Sequence, residues 1–180
     1  MAPRPAAPPP LAVVQSLVNT SELLEDRDDL TTPAALLAWA DAEGLPCPAR
    51  PTQADLTRVR RFREALRQLL GGAAGAVSAL NGELARTGTR PLLQAGPQVE
   101  FTGDATTALD AAITRVLAAV ITTSLDGSLR RLKTCAAEDC RWAFYDRSPN
   151  VVSRWCETSV CGARHKMRAY RARQAAGVTA

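Results

Sequence analysis

Apolar positions recur at helical spacing through the first two thirds of the chain. Leu11, Val14, Leu17 and Val18, extended by Leu24, predict a helix over residues 11–25. Thr32 can cap a second helix, Pro33 fits its first position, Leu36, Leu37, Trp39 and Ala40 fill it, and Gly44 can end it. Thr52 and Asp55 open a stronger third helix carrying Leu56, Val59, Phe62, Leu66, Leu69 and Leu70. The run Gly71-Gly72-Ala73-Ala74-Gly75 then breaks the pattern. It lacks the Lys-Ser/Thr pair of a phosphate loop and follows no strand, so it reads as a helix break. A further helix is expected over Val77–Arg86, and residues 91–94 and 98–101 flank Ala95-Gly96-Pro97 as a short hairpin. Asp104 is positioned to cap a long helix with Leu109, Ile113, Val116, Leu117, Val120 and Ile121. The sum is a helical domain over residues 11–127 with one small β element.

Composition agrees with this pattern. At 180 residues there is room for one domain and a small appendage, and an aromatic share of 4% beside abundant Ala, Leu and Arg favours helices. Residues 1–10 are rich in Pro and Ala and lack a signal peptide's apolar core, which predicts a disordered tail, with an ordered arm as the alternative. No run of about 18 uncharged apolar residues occurs, so no membrane partner is expected and a cytoplasmic location is. The third helix carries Arg58, Arg60, Arg61, Arg63 and Arg67 away from its apolar stripe; a solvated face is expected, with phosphate contact as the alternative. The acidic stretch 25–29 reads as a solvated loop, and Cys47, far from the other cysteines, as a packed lone thiol.

Charge divides the chain. Residues 1–129 hold 11 Lys/Arg against 14 Asp/Glu, whereas residues 130–180 hold 11 against 4. The basic segment also contains Cys135, Cys140, Cys156 and Cys161, spaced C-x4-C, fifteen residues, C-x4-C. Two pairs of this kind supply four thiolates to a tetrahedral ion, and a closed shell leaves no position for substrate water, so a structural Zn²⁺ is expected. An iron–sulfur cluster and His165 as a substitute ligand are the alternatives. Leu132–Cys135 and Trp142–Tyr145 read as strands beside the first pair, with Trp142, Phe144, Tyr145 and Trp155 as a small core too weak to fold without metal. From Ser159 to Ala175 the pattern is helical again. Val160, Ala163, Met167 and Tyr170 share a face expected to pack on the finger, and the other faces present cations. A zinc–thiolate centre of formal charge −2 leaves the segment at about +5, an electrostatic footprint suited to nucleic acid; neutralising the centre is the plainer alternative.

The stretch from Cys135 to Lys166 resembles the CGNR zinc finger. The motif elements stand here as Phe144-Tyr145-Asp146-Arg147-Ser148-Pro149-Asn150, Arg154-Trp155-Cys156, Cys161-Gly162-Ala163-Arg164 and Lys166. The preceding domain is similar to the ABATE domain at Leu17-Val18-Asn19-Thr20, Leu36-Leu37-Ala38-Trp39 and Arg63-Glu64-Ala65-Leu66-Arg67. The resemblance implies a stress-induced transcription regulator whose finger binds DNA. One departure is Ala163, where the motif has Asn, which puts in doubt any base reading or turn bonding from that position.

The expected architecture is therefore mainly α with a small β-hairpin, a helical domain followed over residues 128–176 by a treble-clef-like four-cysteine finger ending in a basic helix. Arg154, Arg164, Lys166, Arg168, Arg171 and Arg173 are the candidate DNA contacts. A protein-interaction module and a ligand-sensing helical domain coupled to the finger are the competing functions. An enzyme is not expected: with one histidine and four cysteines committed to metal, no nucleophile–base pair can be named. Asn19, Thr20 and Asp146 read as turn or cap residues.

Overall fold

The computed structural model describes residues 5–96, 99–104 and 106–177. Leu11, Val14, Leu17 and Val18 lie on one stripe of α1 (Leu11–Asn19) and are all buried. The helix is shorter than its periodicity predicts. The Thr20 hydroxyl donates back to the Leu17 carbonyl (2.7 Å), and the chain turns into a small hairpin, β1 (Ser21–Glu22) against β2 (Arg27–Asp28). α2 (Pro33–Ala42) starts on its Thr32 cap, and α3 (Gln53–Leu70) on a reciprocal box between Thr52 and Asp55. After the glycine break come α4 (Ala76–Thr87), the hairpin β3 (Arg90–Leu93) with β4 (Val99–Thr102), and α5 (Ala108–Leu125). Gln98, expected in the hairpin, lies outside the described residues. α5 is capped by Thr107 with Asp110; Asp104 instead pairs with Arg90 (2.6 Å).

Helices α1, α3, α4 and α5 pack on one another, with α2 against α3, and their apolar stripes meet in one core. By length and composition α5 could cross a membrane, yet it carries Asp110 and Arg115 and packs its Leu109, Ile113, Val116 and Leu117 into this core. It packs against both α1 and α4.

The finger follows a turn at Gly127 and a short 3-10 segment (Ser128–Arg131). It comprises β5 (Leu132–Thr134), β6 (Ala143–Tyr145), a wide π-type turn (Thr158–Gly162) and α6 (Ala163–Gly177). Strand alternation makes β6 serve two cores. Ala143 and Tyr145 face the helical domain's core, whereas Phe144, fully buried between them, faces the cysteines. Tyr145 therefore does not join the finger's core as expected, while Trp142 and Trp155 do.

Two other expectations change. The arginine row of α3 is not a solvated face. Arg63 and Arg67 are 4% and 2% exposed, Arg63 binds Asp28 (2.7 Å), and Arg58 binds both Glu83 and Asp110 (2.7 Å each). The acidic stretch is solvent-exposed as expected except at Asp28, which is the buried arginine's counterion. Residues 5–10 are not a free tail: Ala7 is buried, its N–H donates to Gln15 Oε1 (2.6 Å), and Arg147 donates to the Ala6 carbonyl (2.8 Å). Residues 1–4 lie outside the described part.

Candidate metal centre

Four sulfurs converge where the two cysteine loops meet. Cys135 and Cys140 sit on the loop joining β5 to β6, and Cys156 and Cys161 bracket the turn into α6. All four are buried, and their Sγ atoms lie within 4.8 Å of one another, Cys140 to Cys156 at 3.5 Å and Cys156 to Cys161 at 3.7 Å. Zn–S bonds of about 2.3 Å at tetrahedral angles place sulfurs about 3.8 Å apart, so the donor set fits zinc in number, softness and spacing. His165 is not part of it. It stacks on Trp155 with centroids 4.9 Å apart.

Electrostatics points the same way. Four thiols this close cannot all ionise without a cation. Hydrogen bonds from the Cys140 and Cys156 thiols pull Cys135 down to about 2. The converse holds for Cys140, which its bond to the Cys135 sulfur pushes up to about 12, and Cys156 is raised further by Cys135 and then Cys140. Cys161 is raised chiefly by burial. A divalent ion removes this conflict by neutralising four thiolates at once. Backbone N–H groups also aim at the sulfurs, from Ala137 to Cys135 and from Trp142 to Cys140. With four protein ligands the zinc is structural.

The surrounding chain keeps the loops in place. Cys140 and Arg141 both donate their N–H to the Ala137 carbonyl, and Arg141 adopts a left-handed φ of 48°. The Ala136 N–H donates to the Arg154 carbonyl (2.8 Å), joining the first loop to the second. Gly162 sits at a close approach: a Cβ there would come within 3.2 Å of Trp155 Cδ1 and 3.3 Å of Thr158 Cγ2, so either side chain would have to give way. Ala163 is exposed at the start of α6, so the absence of the motif's Asn opens no hole near the metal.

Of the predicted DNA contacts, Arg164 and Arg168, one turn apart, both bind the Asp139 carboxylate on the first loop and so brace α6. Arg154 lies over the Trp155 ring at 5.5 Å. Lys166, Arg171 and Arg173 are exposed and form no ion pair among the described residues. The helix face expected to pack on the finger does so only at Val160. Ala163 is exposed, and Met167 and Tyr170 are each 51% exposed and belong to neither apolar core.

Sequence reading missed the polar residues that fasten the finger to the helical domain. Asn19 donates to the Ala143 carbonyl (2.9 Å) and accepts from the Ala143 N–H (2.8 Å), so its amide acts as one more rung on the edge of β6. Gln15 adds a second donor to the same carbonyl. Arg67 donates to the carbonyls of Val18, Ser21 and Arg141, joining the α1 end to the first cysteine loop. Burial lowers the pKa of Arg67, partly offset by Glu64. The separation of Asn19 from Ala143 by 124 residues hid this pairing from local patterns. Asn19→Ala, which strips a fully buried peptide unit of its N–H partner, is expected to cost about 1–3 kcal/mol in urea unfolding of the zinc-loaded protein.

Comparison with known proteins agrees with this geometry. Residues 131–174 match the CGNR zinc finger, and residues 11–139 match ABATE, described as "putative stress-induced transcription regulator". No curated protein matches the chain. The two matches overlap across β5 and the first cysteine loop, where the two cores share a hairpin. With most of its length matched and the four clustered cysteines inside the finger match, the chain belongs to the ABATE family and carries a CGNR zinc finger.

Proposed function

We propose that the protein is a zinc-dependent, non-enzymatic DNA-binding regulator of transcription, with α6 and Arg154 as its contact to the duplex. The observation that carries this reading is α6 itself. Fixed at its start by Cys161 and by the Arg164 and Arg168 bonds to Asp139, it continues away from the finger with Lys166, Arg171 and Arg173 unpaired among the described residues. Phosphate oxygens are the natural partners of such cations, and the exposed Met167 and Tyr170 beside them can meet sugar and base edges. Arg164 and Arg168 are committed to bracing, so the contact set narrows to Arg154, Lys166, Arg171 and Arg173. A cytoplasmic location goes with this reading.

Neutralising about four phosphates predicts a slope of roughly −3.6 in log K against log salt for duplex DNA. Fluorescence anisotropy between about 50 and 200 mM salt measures it, and replacing Arg171 or Arg173 by Glu should flatten the slope by about one unit each. Absence of salt-dependent duplex binding at the low end overturns the proposal. The exposure of Met167 and Tyr170 also supports a second reading, an acidic protein partner docked on the same helix. Zinc-dependent capture that survives nuclease treatment and is lost in Tyr170→Asp would favour it.

A further inference from the structure

A cleft of about 980 Å³ opens between the C-terminal ends of α3 and α5 and the first cysteine loop. Its floor is apolar: Leu132 is buried and Leu69, Leu70 and Leu129 are half-buried. Around the rim stand Arg130, Arg141 and Arg154, opposed by one carboxylate, Glu138. None of the three arginines forms an ion pair among the described residues. Lys133 also lines the wall, but its ammonium is bound by Asp146 (2.8 Å) and contributes no free charge. The Thr134 hydroxyl on the same wall makes no hydrogen bond among the described residues. Gly71 lets the end of α3 come close to this wall, since a Cβ there would approach Thr134 Oγ1 to 3.2 Å and Arg141 Nη2 to 3.3 Å.

We propose that this cleft is a binding site for a small organic monoanion with an apolar body, such as an aromatic or branched carboxylate. Its volume is that of small-molecule sites, it lies between two domains, and it pairs an apolar floor with a few convergent donors of one sign. The ligand carries a single charge because Cys135, part of a zinc–thiolate centre of formal charge −2, lines the same wall and repels a second one. A bound anion touches both the helical bundle and the loop that carries Cys135 and Arg141, so it bears directly on how the finger is held. The site does not depend on DNA binding; Arg154 is the one residue common to the two.

The test uses the zinc-loaded full chain and the fluorescent anion 8-anilinonaphthalene-1-sulfonate, with uncharged N-phenyl-1-naphthylamine as its comparator. One anion should bind per chain without change in the near-UV circular dichroism, and the uncharged analogue about tenfold more weakly or worse. Arg130→Glu should weaken the anion at least about tenfold, and Ser124→Trp, filling the cleft from α5, should abolish binding. Both positions are exposed, so neither change removes core packing. If Ser124→Trp nonetheless unfolds the chain, Arg130→Glu and the uncharged analogue decide. No saturable binding, equal affinity for the uncharged analogue, or affinity unmoved by Arg130→Glu overturns the proposal.

Discussion

Chelating the zinc, or replacing Cys156 by Ser, is expected to unfold the chain from about β5 onward while leaving the five N-terminal helices formed but less stable. The finger's own apolar cluster consists of the buried Cys135, Ala137, Cys140, Phe144, Cys156 and Cys161, with Trp142, Trp155 and Val160 partly covered. Four of the six buried positions are ligands, so without the ion little remains to offset the chain entropy of some forty residues. Structural zinc in finger peptides is worth about 10–16 kcal/mol, more than the whole stability of many domains. The helical bundle keeps most of its own core but loses the cover of Leu132 and Ala143 and the partners of Asn19 and Arg67. Chelation should therefore abolish the near-UV circular dichroism of Trp142 and Trp155, and the one remaining melt, that of the helical bundle, should fall to a lower temperature. The metal's hold should also weaken steeply as pH falls, because Cys140, Cys156 and Cys161 keep their protons without the ion and must release them to bind it. A chelated protein that melts once, at an unchanged temperature, would refute this account.

The parts legible in the sequence were those fixed by local rules. A zinc ligand set repeats at short spacing because each loop supplies two thiolates, and the apolar stripes of α1, α3 and α5 follow the helical period because one face meets the core. The buried arginines of α3 obeyed no such rule. Periodicity marks Leu56, Val59, Phe62 and Leu66 as inward-facing but cannot say that β2 and the cysteine loop cover the neighbouring face, where Arg63 and Arg67 lie. The opposite error occurred at α6. A stripe of Val160, Ala163, Met167 and Tyr170 has helical spacing, yet spacing says nothing about whether another element is there to meet it. Likewise Asn19 and Thr20 have turn-like composition, and only the tertiary fold reveals that one extends a strand across the domain boundary while the other ends α1. Tail residues such as Ala7 were hidden by composition, since a Pro/Ala segment can pack wherever its few donors find acceptors, here Gln15.

Asp146→Ala is expected to destabilise the zinc-loaded protein by about 3–5 kcal/mol, the cost of leaving a largely buried charge without its partner. Asp146 is fully buried and gathers the finger's central loop. It accepts from Lys133 Nζ (2.8 Å), from the Ser148 N–H (3.0 Å) and hydroxyl (2.7 Å), and from the Ser153 N–H (2.8 Å) and hydroxyl (2.9 Å). Lys133 in turn donates to the Val151 carbonyl (2.6 Å), at a β-branched residue whose φ of 53° is otherwise unfavourable. Removing the carboxylate thus leaves the Lys133 ammonium on two carbonyls without its counterion and orphans two peptide N–H groups. Asp146→Asn keeps an acceptor but not the charge, and should cost about 1.5–3 kcal/mol, the range of a charge-assisted bond. Burial alone would raise the carboxyl's pKa; Lys133, Ser148 and Ser153 outweigh it and hold the group below its ordinary value. A folded-state value below the unfolded one, about 3.9, gives stability that is complete well above that value and is lost as pH falls through it. The gap between wild type and Asp146→Asn in urea unfolding with excess zinc should therefore stay level from about pH 5 to pH 8. A gap that widens toward the acid end would mean that the carboxyl is held above its ordinary value, and a negligible gap would mean that the loop does not hang on this residue.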